Sequence, residues 1–394
     1  MDLSKSVETI DLEVGVAVRN ILYYVESWGM GGIESFLMST IRSLDPEKYT
    51  FDILSIHDRT NVFDNEIERL GGRRFCLFPQ EKPSQVVRLF AGLKEFRRLL
   101  NLKQYDIVHI NTMNGMGFAY SWIAERAGVP TRIVHSHNSD VGSTFKHLKR
   151  LISYFGSLLF SSSATSRIAC SNAAGLFLFG EMPFHIVRNG IDVNKFAYDS
   201  IKRNRIREQL GVASDEVLIG NISRISAAKN PIFQLQIFKE YLKLDSSAKY
   251  LMADQGEMAS EVDEWIEKHG LRKNVVRFTP CQECEGYYSA MDAMCFPSLF
   301  EGLPLVLVEA QCAGLPICMS ENVSKEAVVN SSCEILSLDL APDEWALHIY
   351  RNVGKRIPNA ECASAIERSG FSLNTSLLDL FRVYEGSLLG KNGL

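Results

Sequence analysis

The chain is predicted to fold as two doubly wound α/β domains in tandem. Three observations lead there. Short β-rich runs alternate with longer amphipathic ones, the pattern of βαβ units with buried parallel strands. The alternation stops near residue 192, at a polar and charged segment, and then begins again. The 394 residues suffice for two domains of ordinary size.

In the first half, ILYYVE (21–26) precedes a glycine turn and the helical run IESFLMSTIRSL. FDILSI (51–56), RRFCLF (73–78), DIVHIN (106–111), RIVHSH (132–137) and RIACS (167–171) follow, separated by helical stretches. This half closes at HIVRNGID (185–192), where Asn189-Gly190 marks a turn. The segment NKFAYDSIKRNRIREQLGVASDE (194–216) is the interdomain connection, with a helix expected inside it. In the second half VLIGNIS (217–223), KYLMA (249–253), NVVRFT (274–279), AMCFP (293–297) and LPICMS (315–320) are the expected strands. The division is an N-terminal extension (1–19), a first domain (20–195), a linker (196–214), a second domain (215–375) and a C-terminal helix (376–394). The run LLDLFRVYEGSLLG (377–390) is expected to pack back on the first domain. Doubly wound sheets bind ligands beyond their C-terminal strand ends, so the cleft between the domains is the default site.

Composition narrows the partners. Hydrophobic content of 46% with 23% charged residues is that of a soluble globular protein. A net charge of −5, without an aromatic-and-basic motif, gives no reason to expect nucleic acid. The nine cysteines are scattered, several inside apolar runs (Cys170, Cys295, Cys312, Cys318), which suits a reducing, cytoplasmic compartment. Cys281 and Cys284 have CxxC spacing, but no second CxxC or histidine pair accompanies them, so a plain loop pair outweighs zinc or redox use. The acidic start MDLSKSVETIDLEVG has no apolar core and is not a secretory signal. No run of about 18 apolar residues offers a membrane span.

Four stretches could carry chemistry. In SWGMGGIES (27–35), Gly29, Gly31 and Gly32 let backbone approach a ligand at a helix N-terminus. A tight strand-to-helix turn explains them as well, and Glu34 replaces the last glycine of a dinucleotide fingerprint. In HSHNSD (135–140), alternation turns His135 and His137 the same way. His137 and Asn138 suit a polar cleft edge; a structural histidine bonded to a neighbouring turn is one alternative, and zinc, for which the sequence places no third ligand, is a weaker one. In ISRISAAKN (222–230), Arg224 and Lys229 flank a strand-to-helix turn ending in Asn230-Pro231. They form either a diphosphate clamp, with a guanidinium fork and an ammonium point charge, or two solvated cations.

The fourth stretch is FEGLPLVLVEA (300–310). Pro304 can open a helix, placing Glu301 in the preceding turn and Glu309 on a face with Leu305, Val306, Cys312 and Ala313. A lone carboxylate there needs hydrogen-bond donors or must lose its charge. Two carboxylates flanking one glycosidic bond would sit roughly 5–9.5 Å apart. Eight helical residues span about 12 Å of axis, which points to two separate jobs. Sugar hydroxyls could satisfy Glu309; the alternative is a buried Arg or Tyr.

In combination these residues resemble the retaining glycosyltransferases of family 4, whose GT-B fold consists of two Rossmann-like doubly wound domains facing a central cleft. The second domain carries R-x4-K (Arg224, Lys229), QGEM (255–258), AMDAMCFPS (290–298) and E-x7-E within FEGLPLVLVEAQCAGLP. The first carries GMGGIE, YDIVH (105–109), RIVHSHN (132–138) and RNGID (188–192). The set runs in order over roughly residues 20 to 350 and looks like that of bacterial capsule and exopolysaccharide enzymes. The resemblance implies that Glu309 binds the ribose of the donor nucleotide and that Glu301 lies by the donor sugar and diphosphate. Arg224 and Lys229 would hold the diphosphate, and His137 would lie near the donor sugar. Gly31 and Gly32 would line the cleft, the amides of Gly302, Leu303 and Leu305 would contact sugar and phosphate, and the base would lie along Thr279 to Gln282, at Thr279 and Cys281. Asp254-Gln255-Gly256 stands where the family often has Gly-Asp-Gly, and Arg188 where it usually has proline.

The implied reaction moves a sugar from a nucleotide-sugar, a UDP-sugar above all, to a lipid-linked or oligosaccharide acceptor. Charge developing on the β-phosphate would be stabilised by Arg224, Lys229 and helix-terminal amides. No metal and no cofactor beyond the donor substrate are expected, because the Asp-x-Asp motif of metal-dependent transferases is missing. The family implies retention through front-face attack, without Glu301 as a covalent nucleophile. FKHLKRLISYFGSLLF (145–160) is either a basic amphipathic helix that meets the inner face of the membrane or a helix whose apolar side is core. Competing readings are a UDP-sugar 2-epimerase of the same fold and a non-catalytic nucleotide-sugar-binding partner.

Overall fold

The apolar runs form parallel strands buried on both faces. A computed structural model describes residues 18–29, 31–58, 62–79, 83–137, 146–279 and 284–386. Most of the N-terminal extension, Asn138 and Cys281 lie outside the described residues.

Strand β1 (Arg19–Trp28) leads into helix α1 (Gly32–Arg42), β2 (Tyr49–Asp58), α2 (Asp64–Arg69) and β3 (Arg73–Phe78). Next come α3 (Gln85–Leu102), β4 (Ile107–Thr112), α4 (Gly117–Arg126), β5 (Thr131–Ser136) and α5 (Lys146–Phe160). β6 (Ser166–Ala169), α6 (Asn172–Phe179) and a two-residue β7 (His185–Ile186) complete this half. Its seven strands run in the order β3-β2-β1-β4-β5-β6-β7 and all pair in parallel. Leu22 and Tyr24 of β1 face a core shared with α3 and α4, while Ile21, Tyr23 and Val25 face one shared with α1. Burial on both sides is why the run shows no polar alternation.

Helices α7 (Val193–Phe196) and α8 (Ser200–Leu210) connect the halves. The Asp199 carboxylate caps α8 by accepting from the N–H groups of Ile201 and Lys202, and Gly211 ends it at a φ of 66°. Arg203 and Arg207 of α8 reach Asp292 at 2.7 and 3.1 Å, so most of the 196–214 segment is a helix tied to the second sheet. That sheet contains β8 (Leu218–Asn221), then α9 (Pro231–Tyr241), β9 (Lys249–Ala253), α10 (Ala259–Lys268) and β10 (Val275–Phe278). It continues with α11 (Glu285–Ala290), β11 (Ala293–Phe296), α12 (Leu305–Cys312), β12 (Ile317–Ser320) and β13 (Cys333–Leu336). The order is β10-β9-β8-β11-β12-β13. Strand β13 was not expected: CEIL is a short edge strand with a polar residue and partly exposed Ile335, and edge strands lack a full apolar signal.

Helices α13 (Pro342–Asn352), α14 (Asn359–Arg368) and α15 (Leu373–Tyr384) end the described chain. α15 returns to the first sheet, where Leu380, Val383 and Tyr384 join the core beneath Tyr23. Two further ties join the halves. Ile191 bridges Ser372, and the Glu326 carboxylate accepts from the N–H groups of Asn172 and Ala173 and from Arg188 at 3.2–3.3 Å. A carboxylate from one domain thus caps a helix N-terminus of the other. Strand order reverses at β1/β4 and at β8/β11, the two points where such sheets bind ligands.

Candidate active site

At the β8/β11 switch point the loops after the two strands are bound together. The N–H of Leu299 donates to the carbonyl of Ala228 at 2.8 Å, and the Lys229 ammonium pairs with the Glu301 carboxylate. Lys229 also lies 5.1 Å above the Phe296 ring. Its backbone is held from below: Gln234 of α9 donates to the Lys229 carbonyl at 2.6 Å and accepts from Tyr250 at 2.9 Å. The turn then passes through Asn230 at a φ of 54°, where the short side chain tolerates the left-handed region, and Pro231 opens α9. Arg224 is exposed and pairs with no carboxylate among the described residues.

The 254–258 loop packs against this turn. Gln255 accepts from the N–H of Ile225 at 3.0 Å, and Glu257 from that of Ala227 at 3.1 Å. Gly256 has a φ of 149°, and a Cβ there would meet the Ile225 carbonyl oxygen at 2.0 Å. Thr279 donates to Asp254 at 2.5 Å, so the departure from Gly-Asp-Gly ties two strand ends together. Helix α12 starts at Leu305 with Pro304 as its N-cap and no side-chain cap. Its first amides therefore point outward, next to Gly302, Leu303 and the Lys229–Glu301 pair.

Glu309 sits mid-helix on α12. Among the described residues its side-chain donor is the Tyr288 hydroxyl of α11. Burial pushes the Glu309 carboxyl up to about 7, opposed by the Tyr288 hydrogen bond and by Lys195, and assisted by Glu285. Lys195 and Glu285 form an ion pair at 3.6 Å. Of the two partners left open for Glu309, a tyrosine is present and serves one carboxylate oxygen. A carboxylate has about four acceptor sites, so room remains for further donors.

On the first domain, Gly31 caps α1 and Gly32 begins it, both exposed. A Cβ on Gly32 would meet nothing within 4 Å, whereas one on Gly31 would press on the Glu34 carboxylate at 2.7 Å. His137 follows β5 with its ring largely enclosed. Its Nε2 meets Asn111 Oδ1 at 2.8 Å, its ring lies 3.8 Å from that of His135, and its buried Nδ1 has no partner among the described residues. Behind it, His135 Nδ1 meets His109 Nε2 at 3.1 Å, and His109 Nδ1 meets the Tyr384 hydroxyl at 2.8 Å. Burial pushes His109 and His137 down to about 3 and His135 well below its ordinary value, so all three are neutral near pH 7. His135 thus belongs to a structural chain. His137 combines a structural bond with one nitrogen that no described residue meets.

The matches to known proteins follow the same two halves. Residues 30–195 match the family described as Glycosyltransferase Family 4, and residues 202–337 match Glycosyl transferases group 1. Both are glycosyltransferase models and together they span most of the chain, which is a glycosyltransferase of GT-B fold. This glycosyltransferase is 29% identical over 376 residues to EpsF of Bacillus subtilis, named a glycosyltransferase, covering 93% of this chain and 96% of that one. It is 25% identical over 307 residues to the UDP-Gal:alpha-D-GlcNAc-diphosphoundecaprenol alpha-1,3-galactosyltransferase of Escherichia coli, covering 75% and 77%. To CapH of Staphylococcus aureus, a capsular polysaccharide biosynthesis glycosyltransferase, it is 23% identical over 384 residues, covering 94% and 99%. Among solved structures, HepE of Anabaena in complex with UDP-glucose shares the fold with a TM-score of 0.73 and 18% identity, covering 93% of this chain and 99% of that one.

The glycosyltransferase therefore brings Lys229 and Glu301 into contact, sets Gly302, Leu303 and Leu305 around the start of α12, and keeps Thr279 at the end of β10. Cys281 lies outside the described residues. Tyr288, Asn111 and Gln234 were missed. Gln234 had a signal, being polar within the apolar run PIFQLQIF. Tyr288 had none, since nothing local marks a residue whose partner lies 21 positions away.

Proposed function

We propose that this glycosyltransferase of polysaccharide biosynthesis moves a sugar from a UDP-sugar to a lipid-linked acceptor, with retention and without a metal ion. The observation that carries the reading is the Lys229–Glu301 pair beside the uncapped N-terminus of α12, at the second sheet's switch point. A diphosphate arriving there would take Lys229 from Glu301, while Arg224 and the amides of Leu303 and Leu305 add donors. These groups stabilise the charge that grows on the β-phosphate as the anomeric C–O bond breaks. Glu301, released, faces the transferred sugar. Glu309 accepts from ribose hydroxyls on the side not used by Tyr288, and the base lies along Thr279.

His137, Gly31 and Gly32 would contribute from the first domain. The free Nδ1 of a neutral His137 can accept from a sugar hydroxyl. The donor nucleotide is supported by the UDP-glucose complex of HepE and by the name of the Escherichia coli relative. That relative's diphosphoundecaprenol substrate supports a lipid-linked acceptor, and with it a place at the inner face of the membrane. The test is a panel of labelled nucleotide sugars with diphosphate-lipid acceptors, with and without EDTA. Transfer from a UDP-sugar that survives EDTA and leaves an α-linkage is expected. Release of a 2-epimer, or UDP binding without transfer to any acceptor, sinks the reading.

A further inference from the structure

Helix α5 turns an apolar stripe outward. Leu151, Tyr154, Phe155, Leu158 and Leu159 recur at the spacing of one helical face, and all are exposed, between 48 and 64%. An ordinary surface helix turns such a stripe toward the core. Among the side chains described, those that pack inward are Ser153, Gly156 and Ser157, which are small, and Phe160, which meets Trp122. Ser153 Oγ accepts the N–H of Gly115 at 2.8 Å, and Gly156 is buried against the same residue. A Cβ on Gly115 would meet the Ser153 carbonyl oxygen at 2.0 Å, and one on Gly156 would meet the Gly115 carbonyl oxygen at 2.6 Å. Backbone approaches this close leave no room for leucines. The packing fixes the rotation of α5, so the stripe cannot roll inward. Of the two readings of residues 145–160, the described side chains favour the helix whose apolar stripe faces outward.

The sequence of the same helix begins KHLKR and contains no Asp or Glu, in a chain whose net charge is −5. The side chains of Lys146, His147, Lys149 and Arg150 lie outside the described residues, but their charge belongs to the first turns of α5. Neighbouring α6 adds Leu176, 55% exposed. The helix has 15 residues, about 22 Å of length at 1.5 Å per residue, too short for a hydrocarbon core of about 30 Å. It is built to lie on a bilayer and not to cross one.

We propose that the exposed stripe of α5 docks the first domain on the surface of an anionic lipid bilayer, with the stripe in the acyl boundary and the basic turns at the headgroups. A second copy is a poorer occupant, because it would set one cationic helix against another. The proposal gives the lipid-linked-acceptor reading its means of access and rests on that reading for its purpose. Bilayer binding itself can be measured without transfer, and transfer to a short-chain, water-soluble acceptor without bilayers, so either can fail alone.

The experiment is flotation of the full chain with vesicles of phosphatidylglycerol and phosphatidylcholine, and with phosphatidylcholine alone. Binding to the anionic vesicles is expected. It should weaken by about tenfold or more in Leu158→Ser/Leu159→Ser, and by a similar factor in Lys149→Glu/Arg150→Glu. Transfer to the soluble acceptor should be unchanged in both, which also reports that they fold. The proposal is overturned by a wild-type chain that stays with the pellet. Variants that float like wild type would overturn it too, as would a dimer in sedimentation that Leu158→Ser/Leu159→Ser dissociates.

Discussion

On the second domain the candidate carboxylates already have partners, whereas on the first the candidate histidine belongs to a buried set of neutral rings. Lys229 holds Glu301, Tyr288 holds Glu309, and Lys195 holds Glu285. Across the chain, hydrogen bonds run from Tyr23 through Tyr384 and His109 to His135, and His137 is tied to Asn111. The two materials behave differently. A paired charge near solvent can change partners when an anion arrives, because it is never left bare. A buried neutral network cannot shift without stranding a donor or acceptor. One half is arranged for exchange and the other for rigidity.

The largest expected effect tests the exchange. Lys229→Ala removes the group that must pass from Glu301 to the diphosphate. Losing one such electrostatic donor lowers kcat by about 10²–10³-fold in comparable sites, and steady-state rates with saturating donor would show it. Near-native kcat in a folded Lys229→Ala chain would mean that the pair is a surface ion pair with no part in the chemistry.

Legibility in the sequence followed the same divide. The charged half could be read, because Lys229 and Glu301 stand in short loops directly after strands, where local spacing fixes their position. Strand alternation likewise marked the two sheets. What could not be read depends on distant chain. Tyr384 reaches His109 across 275 positions, and only the return of α15 to the first sheet joins them. Tyr288 is one of two adjacent tyrosines in a short helix, and its partner is set by how α11 and α12 pack. The orientation of α5 was equally hidden: its stripe is visible in sequence, but the contacts of Gly115 and Gly156 decide which way it faces.

Next in size is the split between Glu309 and Tyr288. Hydrogen bonds to a charged group contribute about 1.5–3 kcal/mol, so Glu309→Gln should weaken UDP binding by roughly 10- to 150-fold. Tyr288→Phe should instead lower thermal stability and leave UDP affinity within a few-fold. Titration calorimetry alongside thermal unfolding separates the two. Equal losses of affinity would show that the tyrosine, and not the ribose, is the partner that matters.

The rigid half has its own test in acid. Tyr384→Phe strands His109 Nδ1 and should cost about 1–3 kcal/mol of stability. His109 and His137 are held down at about 3 from an ordinary 6.5, by burial. A depressed base contributes stability that is present above pH 6.5 and is lost as pH falls toward 3. At pH 5 the proton withheld from His109 alone corresponds to about 2 kcal/mol. Thermal unfolding between pH 8 and pH 4.5 should therefore fall steeply, and less steeply in His109→Gln. Identical slopes would mean that the histidines are not kept neutral by the fold.

The smallest effect has the opposite sign and belongs to the exchanging half. Burial raises Glu309 from 4.5 to about 7, so its contribution to the free protein is full below pH 4.5 and is lost as pH rises through 7. Ribose hydroxyls donate to the ionised form and pull that value down. UDP should then bind more tightly as pH rises through 7, and its binding should release a fraction of a proton. Calorimetry in two buffers of different ionisation enthalpy measures that fraction. The terminal phosphate of UDP titrates in the same region, so the quantity that decides is the difference from Glu309→Gln. If wild type and Glu309→Gln release the same number of protons, Glu309 is not the group that meets the nucleotide.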